Sequence, residues 1–82
     1  MKQYYIFEIQ QLQNGEYAHL VHWEYDENPK TAQLKAESKY HTVLAAAAIS
    51  DTLTHSATLL TGEGVPLAQQ VYDHRESQEP II

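Results

Sequence analysis

Hydrophobic and polar positions in the first third of the chain follow the pattern of two β-strands joined by a tight turn. Segments 4–13 and 16–25 are rich in Tyr, Ile, Val, Phe and Trp, which favour strands. Asn14-Gly15 stands between them, and both residues tolerate the positive φ that a two-residue type I′ turn demands. The pattern therefore predicts a β-hairpin that turns at Asn14-Gly15.

Helical spacing replaces this alternation after residue 26. Asn28 is a candidate N-cap with Pro29 at the first helical position, and Ser38 is an alternative cap for a later start. From about residue 35 to 49 apolar side chains recur every three or four positions, and 50–52 ends the run. The residues at helical spacing are Ala36, Tyr40, Val43, Leu44, Ala47 and Ala48.

A second hairpin is predicted from segments 55–61 and 65–72, which flank the turn sequence 62–64. Pro66 cannot donate to a strand ladder, so its strand should be an edge or carry a bulge. The order ββαββ predicts one α+β domain over residues 1–74. Two hairpins would form an antiparallel sheet with the helix packed on one face, and 75–82 would be a polar, frayed tail.

A two-residue turn would place Gln13 opposite Glu16, and this register assigns each side chain of the first hairpin to a face. One face would carry Tyr5, Phe7, Ile9, Ala18, Leu20 and His22. The other would carry Tyr4, Ile6, Leu12, Tyr17, Val21, Trp23 and Tyr25, together with Glu8, Gln10 and His19. Both faces are then apolar, and one helix can cover only one of them.

Two explanations of the second apolar face stay open. A bulge could redistribute the faces, or the aromatic rings could lie flat on their cross-strand partners. Alternatively the face is a contact surface, because exposed apolar patches usually mark contacts and Tyr and Trp are favoured at interface cores. The second explanation predicts a homo-oligomer, most simply a dimer. Its predicted interface residues are Tyr4, Ile6, Val21, Trp23 and Tyr25.

Composition narrows the function classes. The chain has 82 residues, no cysteine and a formal charge of −6 from five basic and eleven acidic side chains. Disulfides and thiolate metal sites are therefore excluded, and the charge opposes direct nucleic-acid binding. No apolar run approaches the roughly 18 residues that span a bilayer, and no export signal is recognisable, so we expect a cytoplasmic protein without membrane contact.

Candidate chemistry is sparse. His19 and His22 are three apart on a strand and should point to opposite faces, while Glu37 and His41 form only a two-ligand helical pair. No serine lies in a recognisable nucleophile turn. We therefore predict no catalytic residues, no metal and no cofactor.

Three segments resemble short, uncharacterised open reading frames of bacteriophages and related mobile elements. They are Tyr17–His22, Glu37–Ser50 and His55–Ala57, within a similarity that covers roughly residues 4–74. The resemblance carries no known chemistry, but it implies the setting of small phage proteins that bind host or defence components.

Three functional hypotheses follow. The first is a non-catalytic interaction module that self-associates and binds a host protein. The second is a small-ligand or nucleotide-binding module with a pocket between subunits near His22, Trp23 and Tyr25. The third is an acidic decoy that occupies a nucleic-acid-binding site.

Overall fold

The computed structural model describes residues 1–75 and contains a four-stranded sheet and one helix. The elements are β1 (Gln3–Gln11), β2 (Tyr17–Tyr25), α1 (Pro29–Ala48), β3 (Thr54–Thr61) and β4 (Pro66–Asp73). All strand pairs are antiparallel, in the order β2-β1-β3-β4. The predicted α+β class and ββαββ order are confirmed; most of the predicted tail, residues 76–82, lies outside the described residues.

The first hairpin turns where the sequence predicts, but through a longer loop. Leu12 N donates to Glu16 O (2.7 Å), and Gly15 N donates to Leu12 O (2.8 Å). Within this loop only Gly15 has a positive φ, of 89°, and Asn14 does not, although a type I′ turn would require it. This is a three-residue loop that ends in a left-handed glycine, not a type I′ turn.

The extra loop residue shifts the register of the hairpin. Tyr5 pairs with Trp23 and Phe7 pairs with Val21, so partner numbers sum to 28 rather than the predicted 29. Because side chains alternate along a strand, a shift of one residue moves the whole set of one strand to the other face. The predicted register and both predicted faces of the first hairpin are therefore wrong.

The second hairpin repeats the same loop. Thr61 N donates to Val65 O (2.9 Å), and Gly64 N donates to Thr61 O (2.8 Å). Gly64 has a φ of 91°. β4 is an edge strand that begins at Pro66, and its register with β3 shifts between Leu59 and Leu60. The strand therefore has both features that the proline predicts.

The helix is longer than its apolar run. Asn28 caps its N-terminus, with its side chain accepting from Lys30 N and Thr31 N, and Pro29 is the first helical residue. The helix thus starts at the earlier of the two candidate positions. Its sheet-facing residues are small except for Tyr40 and Val43, which lets the helix approach the sheet closely. The residues buried along it are Ala32, Ala36, Tyr40, Val43 and Ala47.

The core lies between this helix and the two central strands. Ile6 is fully buried and is packed with Tyr4 of β1 and with Ala57 and Leu59 of β3. Helix-facing positions of the outer strands are less covered, since Leu20 of β2 remains 47% exposed. Within residues 1–75 no helix has the length and apolar character needed to cross a membrane.

Candidate functional site: an open sheet face and a buried polar network

One face of the sheet has no element packed on it within the described chain. We call it the open face; it consists of the positions that alternate away from the helix. On β1 and β2, its aromatic half, it carries Tyr5, Phe7, Ile9, Tyr17, His19, Val21, Trp23 and Tyr25. On β3 and β4, where most side chains are smaller and which we call its small-residue half, it carries Thr54, Ser56, Thr58, Leu60, Pro66, Gln69, Val71 and Asp73.

Large apolar side chains on the open face are exposed. Trp23 is 61% exposed, Val21 58% and Phe7 43%. The rings of Tyr5 and Phe7 lie 6.5 Å apart between centroids, so they form one continuous surface. A contiguous patch of this kind is unusual on a soluble monomer and typically marks a contact site.

Charge is nearly absent from the open face. Among its positions in residues 1–75 the one carboxylate is Asp73, at the end of β4, and Arg75 Nη2 lies 2.7 Å from it. This pairing, in which hydrogen bonds from Arg75 dominate, lowers the pKa of Asp73 to about 2. The other carboxylates of residues 1–75 therefore lie in the loops, on the helix and on the helix side of the sheet.

The predicted interface set divides between the two faces. Val21, Trp23 and Tyr25 lie on the open face, whereas Tyr4 and Ile6 point to the helix and are 7% and 0% exposed. Placing Tyr4 and Ile6 at a surface contact is therefore wrong, and the shifted hairpin register is the reason. The β1 residues on the open face are Tyr5, Phe7 and Ile9.

The predicted ligand-contacting residues do not form one site in the chain. His22 points to the helix side, opposite to its neighbours Trp23 and Tyr25. The Tyr25 hydroxyl donates to the carboxylate of Glu27, and this bond raises the pKa of Tyr25. His19 does lie on the opposite face from His22, as the strand spacing predicts.

A polar network is buried on the helix side of the sheet, and the sequence patterns did not predict it. Glu8, at the middle of β1, is 7% exposed and accepts hydrogen bonds from two histidines. His22 Nε2 donates to one carboxylate oxygen, and His55 Nε2 lies 2.7 Å from the other. Each residue comes from a different strand, so pairing alone brings the three together.

The electrostatics of this network favour an ionised Glu8. Burial raises the pKa of the Glu8 carboxyl, but the hydrogen bonds and charges of His22 and His55 together outweigh it, and the net pKa is lowered. The two carboxylate oxygens face different rings and do not converge with them on one point. Within residues 1–75 no group of three or more His, Cys, Asp or Glu side chains is arranged to hold a metal ion.

The network continues to the end of the helix in an arrangement that resembles a Ser-His-Glu triad. Ser50 Oγ lies 2.9 Å from His55 Nδ1, 2.8 Å from Thr52 Oγ1 and 3.1 Å from Ala47 O. The Ser50 hydroxyl thus has three partners already. It also lies just beyond a helix C-terminus, where the partial negative charge of the last carbonyl groups would oppose an oxyanion. The arrangement suits structural bonding better than nucleophilic catalysis.

A third histidine, His74, contacts backbone carbonyl groups at the same C-terminal end of the helix. His74 Nε2 lies 3.0 Å from Ala48 O, and its Nδ1 lies 3.1 Å from Thr52 O. Carbonyl oxygens only accept, so a ring N–H of His74 is the donor in each of these contacts. His74 and His55 therefore serve different partners.

Comparison with known proteins adds no relative to this picture. No protein-family model matches the chain, and neither the curated proteins nor the solved structures show a significant match. The resemblance to phage open reading frames therefore stays a prediction.

Proposed function

We propose that this protein is a small non-catalytic interaction module that self-associates through its open face. The observation that carries the proposal is the exposure of Phe7, Val21 and Trp23 on one nearly uncharged surface. Leaving such side chains in water has a cost, at roughly 25 cal/mol for each Å² that a contact would bury. A partner that covers the open face would remove that cost.

The size of the open face is adequate for a stable contact. Four strands, about 4.8 Å apart and about 30 Å long, span roughly 600 Å² in projection. The accessible area is larger, because the side chains protrude from the sheet. Standard protein interfaces bury about 800 Å² on each partner, so sheet-on-sheet packing of this face falls within the range of specific contacts.

Charge favours a second copy over a strongly basic partner. A protein of charge −6 would normally repel its own kind, but its open face contributes only the paired Asp73 and the imidazole of His19. Two identical uncharged patches can meet without like charges opposed. An acidic decoy would instead present carboxylates at its contact surface. A host protein that binds this module would compete for the same face.

The test is sedimentation velocity of the parent chain and of two matched variants. Trp23→Glu places a charge within the proposed contact, on the outer strand β2, and Leu34→Glu places one on the exposed helix surface. Trp23 and Leu34 are similarly exposed, at 61% and 53%, so neither variant should disturb the folded monomer. We expect a dimeric parent, a dimeric Leu34→Glu chain and a monomeric, folded Trp23→Glu chain.

Circular dichroism at the same concentrations controls for folding. A parent that sediments as a monomer at tens of micromolar would contradict self-association. A Trp23→Glu chain that remains dimeric would move the contact away from the open face. If that variant unfolds, Val71→Lys on the other half of the face repeats the test, because Val71 is 53% exposed.

A further inference from the structure

The two halves of the open face differ in the size of their side chains. On β1, the face carries Tyr5, Phe7 and Ile9, whereas the β3 residues paired with them are Leu60, Thr58 and Ser56. The outer strands continue this difference in part, since Trp23 stands on β2 and Gln69 and Val71 stand on β4. The face is therefore raised on one side and lower on the other.

We infer that two copies pack face to face about a two-fold axis that runs parallel to the strands between β1 and β3. This inference rests on the proposed self-association and specifies its geometry. The aromatic half of each copy then lies over the small-residue half of its partner. Phe7 lies over Thr58 of the partner subunit, and Ile9 lies over Ser56 of the partner subunit.

Packing density selects this arrangement. Sheets in a sandwich lie about 10 Å apart along their whole width, so a large side chain needs a small one opposite. The alternative two-fold axis, perpendicular to the strands, would place β1 over β1 and β2 over β2. Phe7 would then meet Phe7 of the partner subunit, and the small-residue halves would face each other across a gap.

The charged end of β4 favours the same arrangement. Asp73 and Tyr17 lie at the same end of the sheet, because Gln11 pairs with Tyr17 and Thr54, and Thr54 pairs with Asp73. An axis parallel to the strands places Asp73 near the hydroxyl of the partner's Tyr17, which can donate to it. The perpendicular axis would place the Asp73–Arg75 pair over the apolar start of the partner's β4, which offers Asp73 no donor beyond its own Arg75.

The two arrangements predict different distances between the hairpin loops of the two subunits. The loops that contain Gln13 and Glu63 lie at opposite ends of the sheet. With the axis parallel to the strands, each loop lies close to its own copy in the partner, below about 25 Å. With the perpendicular axis, or with edge-to-edge pairing of β2, like loops lie at opposite ends, beyond about 35 Å.

Pulsed dipolar spectroscopy of single nitroxide labels measures these distances. The chain has no cysteine, so Glu63→Cys and Gln13→Cys each give one labelled site in an exposed loop. Ser38→Cys, on the exposed side of the helix, is the reference, because its distance is long under either axis. We expect short distances for both loop labels and a long distance for the reference.

Each other outcome has a distinct meaning. Long distances at both loops, in chains that sediment as dimers, overturn the inferred axis and leave self-association intact. Chains that sediment as monomers and show no dipolar coupling overturn the proposed function and the inference with it. If a label in one loop disrupts the dimer, the label in the other loop is used instead, because the distance at either loop distinguishes the two axes.

Discussion

The two faces of this sheet distribute polarity against simple expectation. The helix side buries Glu8 and His55 at 7% and 4% exposure, whereas the open face leaves Trp23 and Phe7 at 61% and 43%. A carboxylate and an imidazole are thus inside, and two aromatic rings are outside. Hydrophobicity of a residue alone does not determine its burial in this chain.

Two factors explain why the two faces differ in burial: which part of the sheet the helix covers, and whether the buried polar groups are hydrogen-bonded. The single helix lies close to the central strands because three of the five residues that it buries, Ala32, Ala36 and Ala47, are small. Glu8 and His55 can be buried between the helix and the sheet because their polar atoms are hydrogen-bonded. Within residues 1–75 every buried side-chain nitrogen or oxygen has a hydrogen-bond partner. No described element reaches the open face, so its apolar residues depend on a second molecule for burial.

The largest expected effect comes from adjacent residues on opposite faces. Ile6→Ala removes a fully buried side chain and should lower the free energy of unfolding by about 2–5 kcal/mol. Phe7→Ala should cost the folded monomer about 1 kcal/mol or less, because Phe7 is 43% exposed. Urea denaturation at two protein concentrations measures both.

The dependence on protein concentration distinguishes a role in the monomer core from a role in the dimer contact. The loss at Ile6 should be the same at both concentrations, whereas the loss at Phe7 should grow at the higher one, where the dimer forms. If the two substitutions cost the same free energy of unfolding in dilute solution, Phe7 belongs to the monomer core and the two faces do not differ as described.

A smaller effect is expected from the closeness of helix and sheet. Ala47→Leu enlarges a residue with no exposed surface and should cost about 1–3 kcal/mol. Ala46→Leu, the exposed neighbour, is the matched control and should be nearly neutral. Thermal unfolding distinguishes them, and equal melting temperatures would show that the helix does not press on the sheet through Ala47.

The smallest effect concerns the ionised carboxylate of the polar network. The pKa of Glu8 is lower when folded than the 4.5 of the free group, so its charge stabilises the fold above pH 4.5. That contribution is lost as pH falls through the lowered pKa. Glu8→Gln should cost about 1 kcal/mol at pH 7 and flatten the loss of stability below pH 4.5.

Asp26 and Asp73 also have lowered pKa values, so they contribute to acid sensitivity in the same direction. The difference between the parent and Glu8→Gln isolates the network, because both chains keep those aspartates. Identical pH profiles for the two chains would mean that the carboxylate of Glu8 is not stabilised by its histidines.

The type and order of the elements could be predicted from the amino-acid sequence, because their signals are local. Turn glycines, the Asn28 cap followed by Pro29, and the edge position of Pro66 each act over a few residues. These signals were sufficient for the ββαββ order and for a helix on one face. They also favoured an apolar, uncovered face on the first hairpin, although the register from which that face was assigned is wrong.

Which residues form that face, and which residues the other face buries, depend on contacts between distant parts of the chain. Asn14-Gly15 fits both a two-residue and a three-residue loop, and the two differ by the single residue that exchanges the faces. The Glu8 network required partners 14 and 47 positions away on two other strands. No local pattern encodes such contacts, because they form only when the strands pair in one register.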